Sequence, residues 1–296
     1  MEFYPVVVIG AGPAGLAAAM QLVRQGQRPL VLERDRVGGL LWNANLVENY
    51  PGFPGGIRGP SLVDRFQEQA SSLGVQIEVE EAWITGYDGD CFRIGTNRRE
   101  LKSQIVVAAT GTKARLLPEA LISPECKDRV FSEVYPLLEV RKRRIIIIGA
   151  GDAAFDYALN LADKNEVIIL NRGVNIKALP LLVQRSENHP AISYLSETTL
   201  KAVTLEPDSS LRFDIQVSGQ LESLTGDYLI GAVGREPDTN FATEDVITKI
   251  FRAGRESRLY QIGDLQNGLH RQTAIAVGDG IRAAMEIGHY LNKEAL

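Results

Sequence analysis

Cysteine is scarce. The 296 residues include two, Cys91 and Cys126, and neither belongs to a CxxC. A disulfide framework and a cysteine-rich zinc site are therefore excluded. The three histidines, His189, His270 and His289, show no metal-ligand spacing, so no metal is expected. Positive charge is not in excess. The formal net charge is −5, which leaves no basic field for a phosphate backbone and excludes nucleic acid as an expected partner. Long apolar runs are missing. Val6–Ile9 and Ile145–Ile148 span four residues each, against the roughly 20 a membrane-crossing helix needs. The opening MEFYPVVVIG has no basic region and no cleavage site, so no signal peptide is expected and the expected compartment is the cytoplasm. There is no GxSxG to support hydrolysis. What remains is 45% hydrophobic and 23% charged, and long enough for about two domains.

One pattern occurs twice. The first copy runs Val6-Val-Val-Ile-Gly10-Ala-Gly12-Pro13-Ala14-Gly15, an alanine-rich helix, then Pro29-Leu-Val-Leu-Glu33. The second runs Ile145-Ile-Ile-Ile-Gly149-Ala-Gly151-Asp152-Ala153-Ala154, a helix to about Asp163, then Glu166-Val-Ile-Ile-Leu-Asn171. Each reads as strand, glycine turn, helix, strand. Continuous apolar strands imply a parallel sheet covered on both faces. Gly10 and Gly149 would make the tight turn off the strand. Gly12 and Gly151 would let backbone approach a pyrophosphate at a helix N-terminus. Gly15 would permit close helix packing, and Ala154 could do the same. Glu33 follows at the spacing of a ribose-binding acid. At the equivalent place the second copy has Asn171, followed by Arg172 and, further on, Lys177. Cations there favour a 2′-phosphate where an acid would repel it, so the second site leans towards NADPH over NADH.

Elsewhere the pattern is coarser. Residues 61–74 have helical periodicity ending at Gly74. Residues 75–109 read as short strands and turns. Ile105-Val-Val-Ala-Ala-Thr110-Gly111 reads as a buried strand ending in a small-residue turn, with Leu229–Gly234 as its counterpart. Residues 197–217 look antiparallel, and Gln272–Tyr290 forms a long amphipathic helix. Two proline-bearing stretches, 113–121 and 234–241, are candidate hinges. The expected fold is α/β, with two Rossmann-like dinucleotide-binding domains, the second inserted into the first: 1–115 with 242–296, and 116–241 between them.

These motifs, together with Val47-Glu-Asn49-Tyr-Pro51, Val233-Gly-Arg-Glu-Pro237, Gly263-Asp264 and Arg271-Gln272-Thr273-Ala274, resemble the low-molecular-weight thioredoxin reductase group of flavoproteins. The resemblance covers nearly the whole chain. It implies FAD in the first domain, with Gly10, Gly12, Pro13, Ala14 and Gly15 around the pyrophosphate, Glu33 at the adenosine ribose, and Arg34 among the FAD-binding residues. Gly39, Leu40, Asn49, Thr110 and Gly111 would lie along the flavin half. Gly263 and Asp264 would hold the ribityl–phosphate region. Arg271, Gln272, Thr273 and Ala274 would lie by the ring. The last helix would aim its N-terminus at the flavin, where a dipole favours negative charge. The inserted domain would take NAD(P)H through Gly149, Gly151, Asp152, Ala153, Asn171, Arg172 and Lys177. A homodimer is implied.

The chain departs from that group twice. Its redox-active CxxC precedes the second glycine motif, but here the region reads Arg129-Val-Phe-Ser132-Glu133-Val-Tyr135-Pro. Thiol–disulfide exchange needs an attacking thiolate and a second sulfur. Reduction of thioredoxin by that mechanism is excluded. The group's cluster of cations is also thinned to Arg172 and Lys177, and lysine lacks the bidentate fork of arginine. The expectation is an oxidoreductase passing electrons from NAD(P)H through FAD directly to a small-molecule or redox-protein acceptor. A ferredoxin- or flavodoxin-linked flavoprotein and a non-catalytic FAD-binding sensor or assembly protein are the alternatives. Arg141-Lys-Arg-Arg144 reads by default as a solvated entry to the strand, and could instead dock an acidic carrier. His270 is a candidate proton donor, and Trp42 could stack near the flavin.

Overall fold

The computed structural model describes residues 1–252 and 258–294. Residues 253–257 and 295–296, within the stretch assigned to the first domain, lie outside the described residues. The chain forms two compact units: Met1–Trp42, Val47–Lys113 and Pro237–Leu296 in one, Asn43–Leu46 and Ala114–Glu236 in the other.

In the first unit, β1 (Glu2–Ile9) leads through the glycine turn into α1 (Pro13–Arg24) and then β2 (Leu30–Glu33). Then follow α2 (Gly59–Ser72), β3 (Gln76–Val79), β4 (Ala82–Tyr87), β5 (Phe92–Thr96), β6 (Glu100–Ala108) and a short β7 (Thr112–Ala114) that leaves the unit. Strands β3, β2, β1 and β6 lie side by side and parallel. Strands β5 and β4 extend the sheet antiparallel from β6. The order reverses between β1 and β6, and such a switch opens a crevice at the carboxyl ends of the strands.

The second unit repeats the plan. Its strands are β8 (Val130–Phe131), β9 (Arg144–Ile148), β10 (Glu166–Leu170) and β11 (Ile192–Leu195), with α3 (Asp152–Ala162) after β9 and α4 (Pro180–Glu187) after β10. The antiparallel trio β12 (Thr198–Leu205), β13 (Leu211–Val217) and β14 (Gln220–Gly226) comes next, then β15 (Tyr228–Gly231) and β16 (Arg235–Pro237). The order β11-β10-β9-β15-β8 is parallel throughout, with its switch between β9 and β15. The run of four isoleucines is apolar on both faces for a visible reason. Ile145 and Ile147 pack with Phe155, Ala158 and Leu161 of α3, whereas Ile146 packs with Val203, Phe213 and Ile215 of the antiparallel trio.

The chain returns to the first unit through α5 (Glu244–Arg252), β17 (Leu259–Gln261), which pairs parallel with β6, and α6 (Thr273–Glu294). The expectation placed residues 237–241 in the inserted domain. Here Phe241 is buried in the first unit's core and its carbonyl accepts the Ile84 N–H at 2.6 Å. Asn43–Leu46 join the second unit although their neighbours on both sides belong to the first. The Asn43 side chain donates to Glu133 at 2.9 Å and accepts the Tyr135 N–H at 3.0 Å, and the Asn45 N–H donates to Asp156 at 2.9 Å. No described helix is long and apolar enough to cross a membrane.

Candidate dinucleotide sites

The two glycine turns have matching geometry. A Cβ on Gly10 would lie 2.4 Å from the Ala109 carbonyl oxygen, and one on Gly149 would lie 2.4 Å from that of Ala232. Each turn is thus pressed against the strand across its switch point, so only glycine fits. Both also have left-handed φ, 105° and 150°. Gly12 and Gly151 have nothing within 4 Å of an added Cβ. These are the openings a pyrophosphate would enter. Both are N-cap residues with no side-chain cap, so the first helical N–H groups have no capping partner. The residues present fit a dinucleotide phosphate at both turns.

In the first unit, further groups gather at the same end of the sheet. Both Glu33 oxygens accept backbone N–H groups, from Ala11 at 2.8 Å and Asp35 at 3.1 Å. This fixes a buried carboxylate at the end of β2, with lone pairs left for a diol. Gly38 donates its N–H to the Ala11 carbonyl, which brings Gly39 to 3.4 Å from the Gly12 Cα, measured from an added Cβ. Trp42 donates its indole N–H to the Val37 carbonyl at 2.9 Å and so braces that turn, Leu40 included. Gly263 packs on Ala14, which sets Asp264 beside the start of α1. Asn49 donates to the Gln272 side chain at 2.8 Å, joining the 47–51 loop to the start of α6, where Thr273 and Ala274 are the first helical residues. Arg271 immediately precedes this cap. Arg34 pairs with buried Asp238 at 2.8 Å. Asp238 also takes the Thr110 hydroxyl on its carbonyl and gives its N–H to Gly111. Asp238 was not singled out in the sequence; its signal was only its place after the Glu236-Pro237 pair. His270 is exposed in the turn before α6, its backbone N–H bonded to Asn267.

In the second unit, Asn171 is buried and its side chain is engaged. Its Oδ1 accepts the Gly173 N–H, and its Nδ2 donates to the Asn175 carbonyl and the Tyr194 hydroxyl. It shapes the loop after β10. Arg172 and Lys177 are exposed on that loop, and neither makes an ion pair with a described residue. Asp152 and Ala153 begin α3, with the Asp152 carboxylate accepting the Leu179 N–H at 2.7 Å.

The basic run is the exposed entry to β9. Arg143 pairs with Asp227, Arg144 with Glu166 and Arg141 with Glu139. Lys142, Arg143 and Arg144 line a cleft of about 640 Å³ at the amino ends of β9, β10 and β15, opposite the glycine turn. The charge of the run is largely met locally, and it stands away from the dinucleotide end of its own sheet.

The matched geometry agrees with the comparisons. The sequence pattern of the family described as pyridine nucleotide-disulphide oxidoreductase matches residues 4–279. The chain belongs to that family. It is 26% identical over 308 residues to the thioredoxin reductase of Mycolicibacterium smegmatis, covering 98% of this chain and 97% of that one. The Lactococcus lactis thioredoxin reductase superposes with a TM-score of 0.84 at 28% identity, over 98% of this chain and 99% of that one. The bacillithiol disulfide reductase of Bacillus cereus shares the fold, with a TM-score of 0.76 at 18% identity over 98% of this chain and all of that one. FAD and a pyridine nucleotide are the cofactors that go with this pyridine nucleotide-disulphide oxidoreductase architecture.

One partly buried acid in the second unit, Asp156, titrates well above the usual carboxylate range. Burial raises the Asp156 carboxyl to about 6; the Asn45 N–H bond opposes this and nearby Asp152 adds to it. The folded value exceeds the ordinary 3.8, so the folded chain binds this proton more tightly. The resulting stability is fully present below about pH 4 and is lost as pH rises through about 6. Asp156→Asn keeps an acceptor for Asn45 without the buried charge. It should be more stable than wild type by about 3 kcal/mol at pH 7.5 and by little at pH 4. Urea unfolding of both proteins at the two pH values checks this, and an equal difference at both would refute it.

Proposed function

We propose that this chain is an FAD-dependent oxidoreductase that takes electrons from NADPH and passes them directly to an acceptor, without a redox-active dithiol. FAD is assigned to the first unit, where Gly12, Glu33, Asn49, Asp264 and the N-terminus of α6 gather at one switch point. NADPH is assigned to the second, at the Gly149–Gly151 turn. When bound, the flavin supplies the electron transfer, while the protein orients it and tunes its surroundings. Glu33 would hold the adenosine ribose. The first-turn amides of α1 would hold the pyrophosphate, and the dipole of α6 would favour negative charge at its N-terminus.

The observation that carries the absence of a dithiol is the residue set at 129–140. Glu133 there bonds Asn43 and Arg235, and Tyr135 gives its N–H to Asn43. The two thiols lie in different units, with Cys126 wholly buried. Burial raises both thiol pKa values, which suppresses the thiolate. The acceptor must therefore reach the flavin itself, as a quinone, a small oxidant or a redox protein would. With Arg143 and Arg144 paired, the basic run no longer favours a ferredoxin-linked alternative.

Anaerobic stopped-flow tests the reading. NADPH should bleach the yellow protein faster than NADH, and the NADPH-reduced protein should leave a thioredoxin disulfide intact while reducing a quinone. Bleaching by dithionite but by neither nucleotide would reject the NADPH assignment. Reduction of thioredoxin would reject the direct route.

A further inference from the structure

The loop between β10 and α4 is fastened along its length, yet its cations are exposed. Asn171 binds Gly173 and Asn175 from within the loop. The Glu197 N–H donates to the Gly173 carbonyl at 3.1 Å. The Lys177 N–H donates to the carbonyl of Ala150, the central residue of the glycine turn, at 2.7 Å. Two residues on, the Leu179 N–H donates to Asp152 at 2.7 Å. Asp152 is the first residue of α3 and stands where the first copy has Pro13. An exposed acid at that helix end would repel an approaching pyrophosphate unless its charge were otherwise engaged.

We propose that Asp152 is a positioning residue and not a phosphate ligand: it clamps the 171–179 loop against the second glycine turn, so that Lys177 and Arg172 are held ready for the 2′-phosphate of the dinucleotide. This deepens the NADPH assignment above and rests on it. Lysine has a flexible stem and no fork, so a site relying on it gains most from a fixed backbone. The clamp supplies this through two adjacent bonds, one to the turn and one to the helix that follows it. The carboxylate's Oδ1 accepts the Leu179 N–H.

The test uses the full-length flavoprotein in the oxidised state and needs no turnover. Calorimetric titration with NADP⁺ and NAD⁺ would compare wild type, Asp152→Ala, Asp152→Asn and Lys177→Ala. Asp152→Ala should weaken NADP⁺ about five- to tenfold and NAD⁺ less than about twofold. Asp152→Asn, which keeps the acceptor, should return NADP⁺ to within about twofold of wild type. Amide exchange at Leu179 reads the clamp whether or not a nucleotide binds: it should be slow in wild type and in Asp152→Asn, and faster in Asp152→Ala. Equal exchange in wild type and Asp152→Ala would overturn the clamp. Tighter binding of both nucleotides by Asp152→Ala would overturn it too, since the carboxylate would then be merely repulsive. Equal wild-type affinity for NADP⁺ and NAD⁺, with Leu179 protection lost in Asp152→Ala, would reject the phosphate reading while supporting the clamp.

Discussion

Alanine at position 12 should give a folded protein without its yellow colour. Gly12 has φ −73°, which any residue adopts, and an added Cβ meets nothing within 4 Å. The unfolding free energy of the FAD-free chain should therefore change by less than about 0.5 kcal/mol. The methyl would project into the opening above the first turn of α1, where the backbone must come close to a pyrophosphate. FAD affinity should fall about 100-fold or more, about 3 kcal/mol. Purification with added FAD, followed by equilibrium dialysis, measures the loss. A Gly12→Ala protein that retains FAD as tightly as wild type would mean that the phosphates do not pass this glycine.

Valine at position 280 should act in the opposite order, on the fold first. Gly280 lies where α6 crosses α1. Its Cβ would stand 2.2 Å from the Ala14 carbonyl oxygen, 2.9 Å from the Ala18 nitrogen and 3.1 Å from the Ala17 Cβ. The first two obstacles are backbone in a hydrogen-bonded helix, which cannot step aside as a side chain can. The helices would have to separate, and stability should fall by about 3 kcal/mol. The N-terminus of α6 would move with them, so FAD binding should weaken as a consequence. Gly288→Ala on the same helix is the control. Its Cβ would meet only the side-chain amide of Gln25, 2.5 Å away, which can rotate aside. That variant should lose less than about 1 kcal/mol. Thermal unfolding of the three proteins distinguishes them, and equal losses for Gly280→Val and Gly288→Ala would refute the close-packing argument.

Much of the fold was legible because its signals are local. The glycine turns, the apolar runs before them and the alanine-rich helices after them each occupy a short window, and the same physics wrote them twice. The helix expected at 61–74 forms over Gly59–Ser72 and stops before Gly74, whose φ is 72°. The final helix expected from Gln272 begins at Thr273. Helices α4 and α5 have weaker signals in the sequence, since at eight and nine residues they span little more than two turns.

The candidate sites were less legible than the fold. Nothing in the sequence joins Arg34 to its ion-pair partner Asp238, 204 positions along the chain. The partners of the Asn171 amide, Gly173, Asn175 and Tyr194, are likewise set by the folded loop. Nothing in the spacing of Asn43, Glu133 and Asp156 joins them as a group.

The amino-acid sequence by itself determined two dinucleotide-binding folds, the identity of the glycines at their turns, the lack of a paired thiol near the second turn, and the loss of an acid at Asn171. All of these are matters of residue type within one turn or one strand. Only the tertiary structure decided which carboxylates neutralise Arg143 and Arg144, that residues 43–46 fold with the second unit, that Asp156 is buried enough to titrate near 6, and that Asp152 holds Leu179. Those outcomes depend on desolvation and on partners distant in the chain, and neither is set until the sheets have closed around them.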